Sequence, residues 1–132
     1  MQLLNLTPML WTKALVATKE FYESILGFEV DNFSEEWGWL HMHRDAVNIM
    51  FSLPIAHEPF EKPVCTGSFY FYMDEVDELW EKLKNTPYLY YGIENFEYGM
   101  REFAIKDNNG YILQFGKEIT VESDNTENTT NA

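Results

Sequence analysis

The chain has 132 residues, of which 45% are hydrophobic and 17% aromatic. That is the length of one domain with ample apolar surface for a core, and it excludes a two-domain enzyme or an intrinsically disordered chain. Twenty-two acids against nine bases give a net charge of −13, a field that repels nucleic acid and anionic membranes and attracts cations. The lone cysteine, Cys65, has no partner for an internal disulfide. The N-terminus MQLLNLTPML lacks the basic region and unbroken apolar run of a signal peptide, and no apolar run approaches the roughly 20 residues of a membrane span. These readings predict a cytoplasmic protein with neither a nucleic acid nor a membrane as partner.

In chain order, a first strand is read from Leu6. From Leu15 to Leu26, apolar groups fall at 15, 18, 21, 22, 25 and 26, the spacing of a helix face, and Gly27 follows where a left-handed cap is needed. A strand begins at Phe28. WGWLHMHRDAVNIMFSL then reads as a hairpin turning at Arg44-Asp45, with His43 opposite Ala46. The period of two places Leu40, Met42, Val47, Ile49 and Phe51 on one face, and Trp37, Trp39, His41, Asn48, Met50 and Ser52 on the other.

Phe69 opens a second strand-helix unit. Asp74 is the expected N-cap of a helix whose first turn holds Glu75, Asp77 and Glu78, whose stripe is Val76, Leu79, Trp80 and Leu83, and whose negative end meets Lys82 and Lys84. A second hairpin, REFAIK then YILQFG, turns at Asp107-Asn108-Asn109-Gly110, with Tyr111, Leu113 and Phe115 on one face of its return strand and Ile112 and Gln114 on the other. The order strand, helix, strand, hairpin thus occurs twice. Thr7 lies over Ser68, Leu15 over Val76, Thr18 over Leu79 and Tyr22 over Leu83, the pattern of a duplicated βαβββ unit. The modules run over about residues 3–54 and 66–117, a domain of residues 1–117. Residues 118–132, rich in Asn, Thr and acids, read as a disordered acidic tail. The tail holds four acids and no base, so the folded part is itself acidic.

FYESILGF in the first half, FYMDEVDELWEKL in the second and YGMREFAIKDNNGYILQFG at its close resemble the glyoxalase, bleomycin-resistance and ring-cleaving dioxygenase superfamily, also called vicinal oxygen chelate, over residues 3 to 117. The resemblance is nearest its bacterial bleomycin-resistance-like members. It implies an α+β fold, two tandem βαβββ modules forming a curved mixed sheet with helices on the convex face and a ligand on the concave one. The apolar set Leu40, Val47, Ile49, Phe51, Phe69, Phe71, Leu113 and Phe115 would pack under the helices. Trp37, Trp39, His41, Met50, Ser68, Tyr70, Tyr72 and Gln114 would line the cup.

Metal-dependent members carry His or Glu on the first strand of each module and a carboxylate on the last. Carried over by position, those ligands fall on Thr7, Ser68, Met50 and Gln114. None is a His or a carboxylate, so no metal or other cofactor is expected. Two readings remain for His41 and His43, which share a face: a separate metal site, or His41 as a polar ligand contact. Trp37, Trp39, Tyr70 and Tyr72 suit the stacking of planar or cationic groups, or packing in a core or dimer interface. Arg101 suits a clamp on an anionic or carbonyl group, or an internal pair with Glu102 or Glu97. Glu35-Glu36 would draw cations, or is a solvated loop. No nucleophile with an adjacent base and no phosphate loop is present. The sequence therefore favours a small-molecule-binding protein that sequesters a cationic or aromatic ligand without a metal, and the resemblance to the bleomycin-resistance branch implies a homodimer. The alternative is a metal-dependent lyase, isomerase or dioxygenase with non-standard ligands.

Overall fold

The computed structural model describes residues 1–120. The element order is β1 (Met9–Trp11), α1 (Leu15–Ser24), β2 (Glu29–Ser34), β3 (Trp39–Arg44), β4 (Val47–Ser52), β5 (Phe69–Tyr72), α2 (Val76–Leu83), β6 (Leu89–Asn95), β7 (Met100–Lys106) and β8 (Ile112–Glu118). This is the βαβββ order twice over. Each module builds its own four-stranded mixed sheet, β1-β4-β3-β2 in the first and β5-β8-β7-β6 in the second. In both, the first strand joins the last in parallel and every other pairing is antiparallel. Of the tail expected from Glu118, Glu118 itself closes β8 opposite Met100, Ile119 donates its N–H to Gly99 O, and residues 121–132 lie outside the described residues.

By contact the chain divides into two compact units. One is Met1–Cys65 with Asp107–Gly110, and the other is Thr66–Lys106 with the chain from Tyr111 on. In the first, α1 covers one sheet face through Leu15, Thr18, Phe21 and Tyr22, all buried, against Leu40, Met42, Ile49 and Phe51. Gly27 adopts the left-handed φ of 70° foreseen for it, and across it Phe28 N–H reaches Tyr22 O at 2.9 Å. Asp107 to Gly110 belongs to this unit because its side chains satisfy buried polar groups: the Tyr22 hydroxyl donates to Asp107 Oδ2 at 2.6 Å and Thr12 donates to Asn109 Oδ1 at 2.6 Å. Asn109 Nδ2 in turn donates to Thr18 Oγ1 at 3.0 Å.

In the second unit α2 lays Val76, Leu79 and Leu83 on Phe103, Ile105, Leu113 and Phe115, all buried. The three helix positions paired by the repeat, Leu15 with Val76, Thr18 with Leu79 and Tyr22 with Leu83, are buried in both halves.

Two local expectations are corrected. The first hairpin pairs Arg44 with Val47 and His43 with Asn48, so its turn is Asp45-Ala46, not Arg44-Asp45, and Asp45 takes the positive φ of 53° that such a turn demands. The slip is two residues, an even number, so both faces keep the side chains assigned to them. Asp74 does not cap α2. The N-cap is Glu75, with no side-chain cap bond, and Glu75 O accepts the first helical bonds from Glu78 and Leu79. From the apolar set, Leu40, Ile49, Phe51, Leu113 and Phe115 are buried, whereas Val47, Phe69 and Phe71 are only half-buried.

Candidate functional site

Each sheet turns one face to its helix and leaves the other without one, and most of the expected contact residues lie on these helix-free faces. On the first, Trp39, His41 and Met50 are half-buried. The Trp39 indole N–H points at Met50 Sδ, 3.3 Å away, and the Trp39 and His41 rings lie 6.2 Å apart at 31°. His41 Nε2 is 2.9 Å from Asn48 Oδ1. A bulge between Val30 and Asn32 brings in a group that sequence spacing did not, Asp31, whose Oδ2 is 2.8 Å from His43 Nδ1 and 3.9 Å from His41 Nε2. The Asp31 hydrogen bond holds the His43 imidazole above its ordinary value.

The helix-free face of the second sheet carries a denser polar cluster. Glu102 on β7 is fully buried, at 0% exposure. Its carboxylate accepts from the Tyr70 hydroxyl at 2.7 Å, from the Tyr91 hydroxyl and from Gln114 Nε2 at 3.3 Å, and the Tyr98 phenol, raised by burial and by this carboxylate, stands beside it. Gln114 Nε2 also donates to the Tyr91 oxygen at 2.8 Å, while Gln114 Oε1 accepts from Ser68 at 2.5 Å. Burial alone would raise the Glu102 carboxyl, but the bonds from Tyr91, Tyr70, Tyr98 and Gln114 outweigh it and hold the group below the usual carboxylate range. The phenols move the other way. Burial, then donation to Glu102, raises Tyr70, and burial with the same carboxylate, against the opposing pull of Gln114, pushes Tyr91 up to about 12.

Gly116 makes this cluster possible. It faces Glu102 across the β7–β8 ladder, and a Cβ there would collide with the Tyr70 hydroxyl. Only a bare backbone lets the Tyr70 ring cross β8 to reach the carboxylate.

The remaining expected residues fall elsewhere. Trp37 is 82% exposed in the turn before β3, and Tyr72 is 77% exposed, with its ring 4.8 Å from that of Tyr70. Arg101 projects to the α2 side of its sheet. Its guanidinium is paired there with Asp77 at 2.8 Å and bonded to Asn95 Oδ1 at 3.0 Å. The partner is Asp77, not Glu102 or Glu97, because odd positions of β7 face α2. Tyr91, Tyr98 and Glu102 were missed as site residues. The signal was a carboxylate two residues from Ala104, which pairs with Gln114, on the face of β7 away from Phe103 and Ile105.

A cleft of about 260 Å³ opens at the start of α1, among Lys13, Leu15, Val16, Glu35 and Leu53. None of the expected contact residues lines it. Glu36, beside Glu35, is exposed.

The four positions that correspond to metal ligands do not fit a divalent metal. Ser68 gives its proton to Gln114, Met50 offers a thioether already in contact with the Trp39 N–H, and Thr7 is directed to Asn5 Oδ1 at 3.4 Å. Among the described residues no group of three His, Cys, Asp or Glu is arranged to hold a metal ion, and no helix is long and apolar enough to cross a membrane.

Paired βαβββ modules with polar, aromatic helix-free faces define a class of fold. The family model described as Glyoxalase/Bleomycin resistance protein/Dioxygenase superfamily matches residues 6–115, and the chain belongs to that family. No curated protein is matched by its sequence. Among solved structures, it is similar to a glyoxalase/bleomycin resistance protein/dioxygenase from Nocardioides, with a TM-score of 0.69 and 17% identity over 92% of this chain and 87% of that one. It is similar to lactoylglutathione lyase from Agrobacterium tumefaciens, with a TM-score of 0.66 and 18% identity over 86% and 92% of the two chains. A third likeness is to TioX from Micromonospora sp. ML1, with a TM-score of 0.69 and 12% identity over 86% and 98%. At these identities the likeness is one of fold.

Proposed function

We propose that this chain is a small-molecule-binding protein of the superfamily, of the bleomycin-resistance kind, which sequesters a cationic or aromatic ligand without a metal. The observation that carries this reading is the chemistry at the four metal-ligand positions, where Thr7, Met50, Ser68 and Gln114 supply only neutral groups and all four are engaged with other side chains. Beside Met50 stands the Trp39 ring, and beside Ser68 and Gln114 stand tyrosine rings and an ionised, buried carboxylate, groups suited to holding a flat or positively charged molecule and not to activating one. In this reading the protein works as a cytoplasmic homodimer.

Calorimetry with cationic glycopeptides and polycyclic aromatic compounds, with and without a chelator, tests it. Binding that is indifferent to the chelator is expected. Metal analysis of protein purified without chelator supplies the opposing outcome: a stoichiometric divalent ion, lost in His41→Ala, would overturn sequestration in favour of a metal-dependent lyase, isomerase or dioxygenase. Size-exclusion chromatography with light scattering reads the oligomeric state, and a monomer at micromolar concentration would remove the dimer from the proposal.

A further inference from the structure

The hydrogen bonds of the second sheet's helix-free face run in one direction. A carboxylate ionised at neutral pH has only lone pairs to offer, so each group around Glu102 must approach it as a donor. Tyr70 and Tyr91 each spend their single hydroxyl proton on it, and the Tyr98 phenol is drawn to the same carboxylate. Gln114 spends both amide protons, on Tyr91 and on Glu102, and Ser68 spends its proton on Gln114 Oε1. Every side-chain proton of the cluster is therefore committed inward. What Ser68, Tyr70, Tyr98 and Gln114 retain is lone pairs, carried on groups that are exposed or half-buried.

The charge has the same sense. Glu94 on β6 stands opposite Glu102 in the ladder, which places a second, exposed carboxylate on this face beside the buried one. Like charges directly opposed on one sheet face repel, and a bound cation relieves them. The nearest bases do not: Arg101 and Lys117 lie on the α2 side with Asp77, and Lys106, farther along β7, is stacked on the Tyr90 ring.

From this geometry we infer that the helix-free face of the second sheet is a site for organic cations that carry N–H, primary ammonium or guanidinium groups, with Glu102 as the positioning residue that aims phenol and amide lone pairs at them. The inference deepens the ligand-binding reading above and rests on it. It differs from recognition by aromatic faces alone, which favours a quaternary ammonium with no N–H to give. Charge-assisted N–H···O bonds require the proton.

Three probes that share one ring separate these cases: benzylammonium, benzyltrimethylammonium and benzoate, titrated into the full chain with tyrosine-ring carbons labelled for NMR. Benzylammonium is expected to shift the tyrosine signals at roughly tenfold lower concentration than either competitor. In Glu102→Gln the new amide cannot accept from all its neighbours, some phenol protons turn outward, and the preference over benzoate should shrink or reverse. Tyr98→Phe, at a residue 65% exposed, leaves folding intact and removes one outward lone pair, so benzylammonium should weaken roughly threefold. Equal or tighter binding of benzyltrimethylammonium, or a preference untouched by both substitutions, would overturn the inference and leave the ligand-binding reading standing. Failure of all three probes to move any tyrosine signal at millimolar concentration would overturn both.

Discussion

Where the first module has Trp39, opposite Ser52 on β4, the second has Glu102, opposite Gly116 on β8. Where the first has Met50, the second has Gln114. These are corresponding places in one ladder, since Met9 pairs with Met50 in parallel as Tyr70 pairs with Gln114. In the first module an indole and a thioether meet across the strands, a soft contact with little charge. In the second a carboxylate is surrounded by donors. The helix sides diverge less: the first unit has hydrogen-bonded Thr18 and Tyr22 where the second has Leu79 and Leu83, but all four are buried. The duplicated frame constrains the face that packs against a helix, where side chains must be buried in both copies. The other face is held by local hydrogen bonds and is free to differ.

The sharpest way to break this contrast is to delete the carboxylate. Glu102→Ala leaves three phenols and an amide without their acceptor in a half-buried cluster, and should destabilise the chain by about 3 kcal/mol, measured by urea denaturation. Acid should act in the same direction. The Glu102 carboxyl is lowered in the folded chain, so its contribution is complete above the ordinary unfolded value of about 4.3 and is lost as the pH falls through the folded one.

The counterpart in the first unit is Tyr22→Phe, which removes the hydroxyl that donates to the buried Asp107 and should cost about 1 to 2 kcal/mol. The Glu102 cluster and its phenol titration should be unchanged by it. Two-dimensional NMR of the variant, showing shifts at residues 107–110 and none at Tyr91, would confirm that the effect stays with its unit.

A smaller effect is spectroscopic. Because the Tyr91 phenol is raised to about 12 and Tyr70 is raised as well, absorbance at alkaline pH should resolve a late-titrating group of tyrosines. The stability they contribute is complete below the unfolded value of about 10 and fades as the pH climbs toward 12. Glu102→Gln should bring the late group down, whereas Trp39→Phe should leave it in place.

The smallest effect belongs to the first module. His43 is raised by the bond to Asp31, so what it contributes is present below the unfolded value of about 6.5 and lost as the pH rises through its folded value. Asp31→Asn should return His43 to the ordinary range in an NMR titration, with no measurable change in the denaturation midpoint, because the pair is largely solvated.

Much of this molecule is written in local pattern. Spacing along Leu15 to Leu26 and Val76 to Leu83 specifies two helices and their buried stripes. Alternation in LHMHRDAVNIMF specifies faces that survive even a two-residue error in register, since parity decides the face. The neutral identity of Thr7, Met50, Ser68 and Gln114 needs nothing beyond their positions. Tertiary structure decided the rest, because each feature depends on residues far apart in the chain. Arg101 finds Asp77, which is 24 residues away, and so belongs to the helix side. Asp31 reaches two histidines only because β2 carries a bulge. Glu102 gathers Tyr70, Tyr91, Tyr98 and Gln114 from four separate segments, and does so because Gly116 has no side chain to stand between Tyr70 and the carboxylate. Periodicity determines which way a side chain points. Which proton meets which lone pair is settled only when the strands lie side by side.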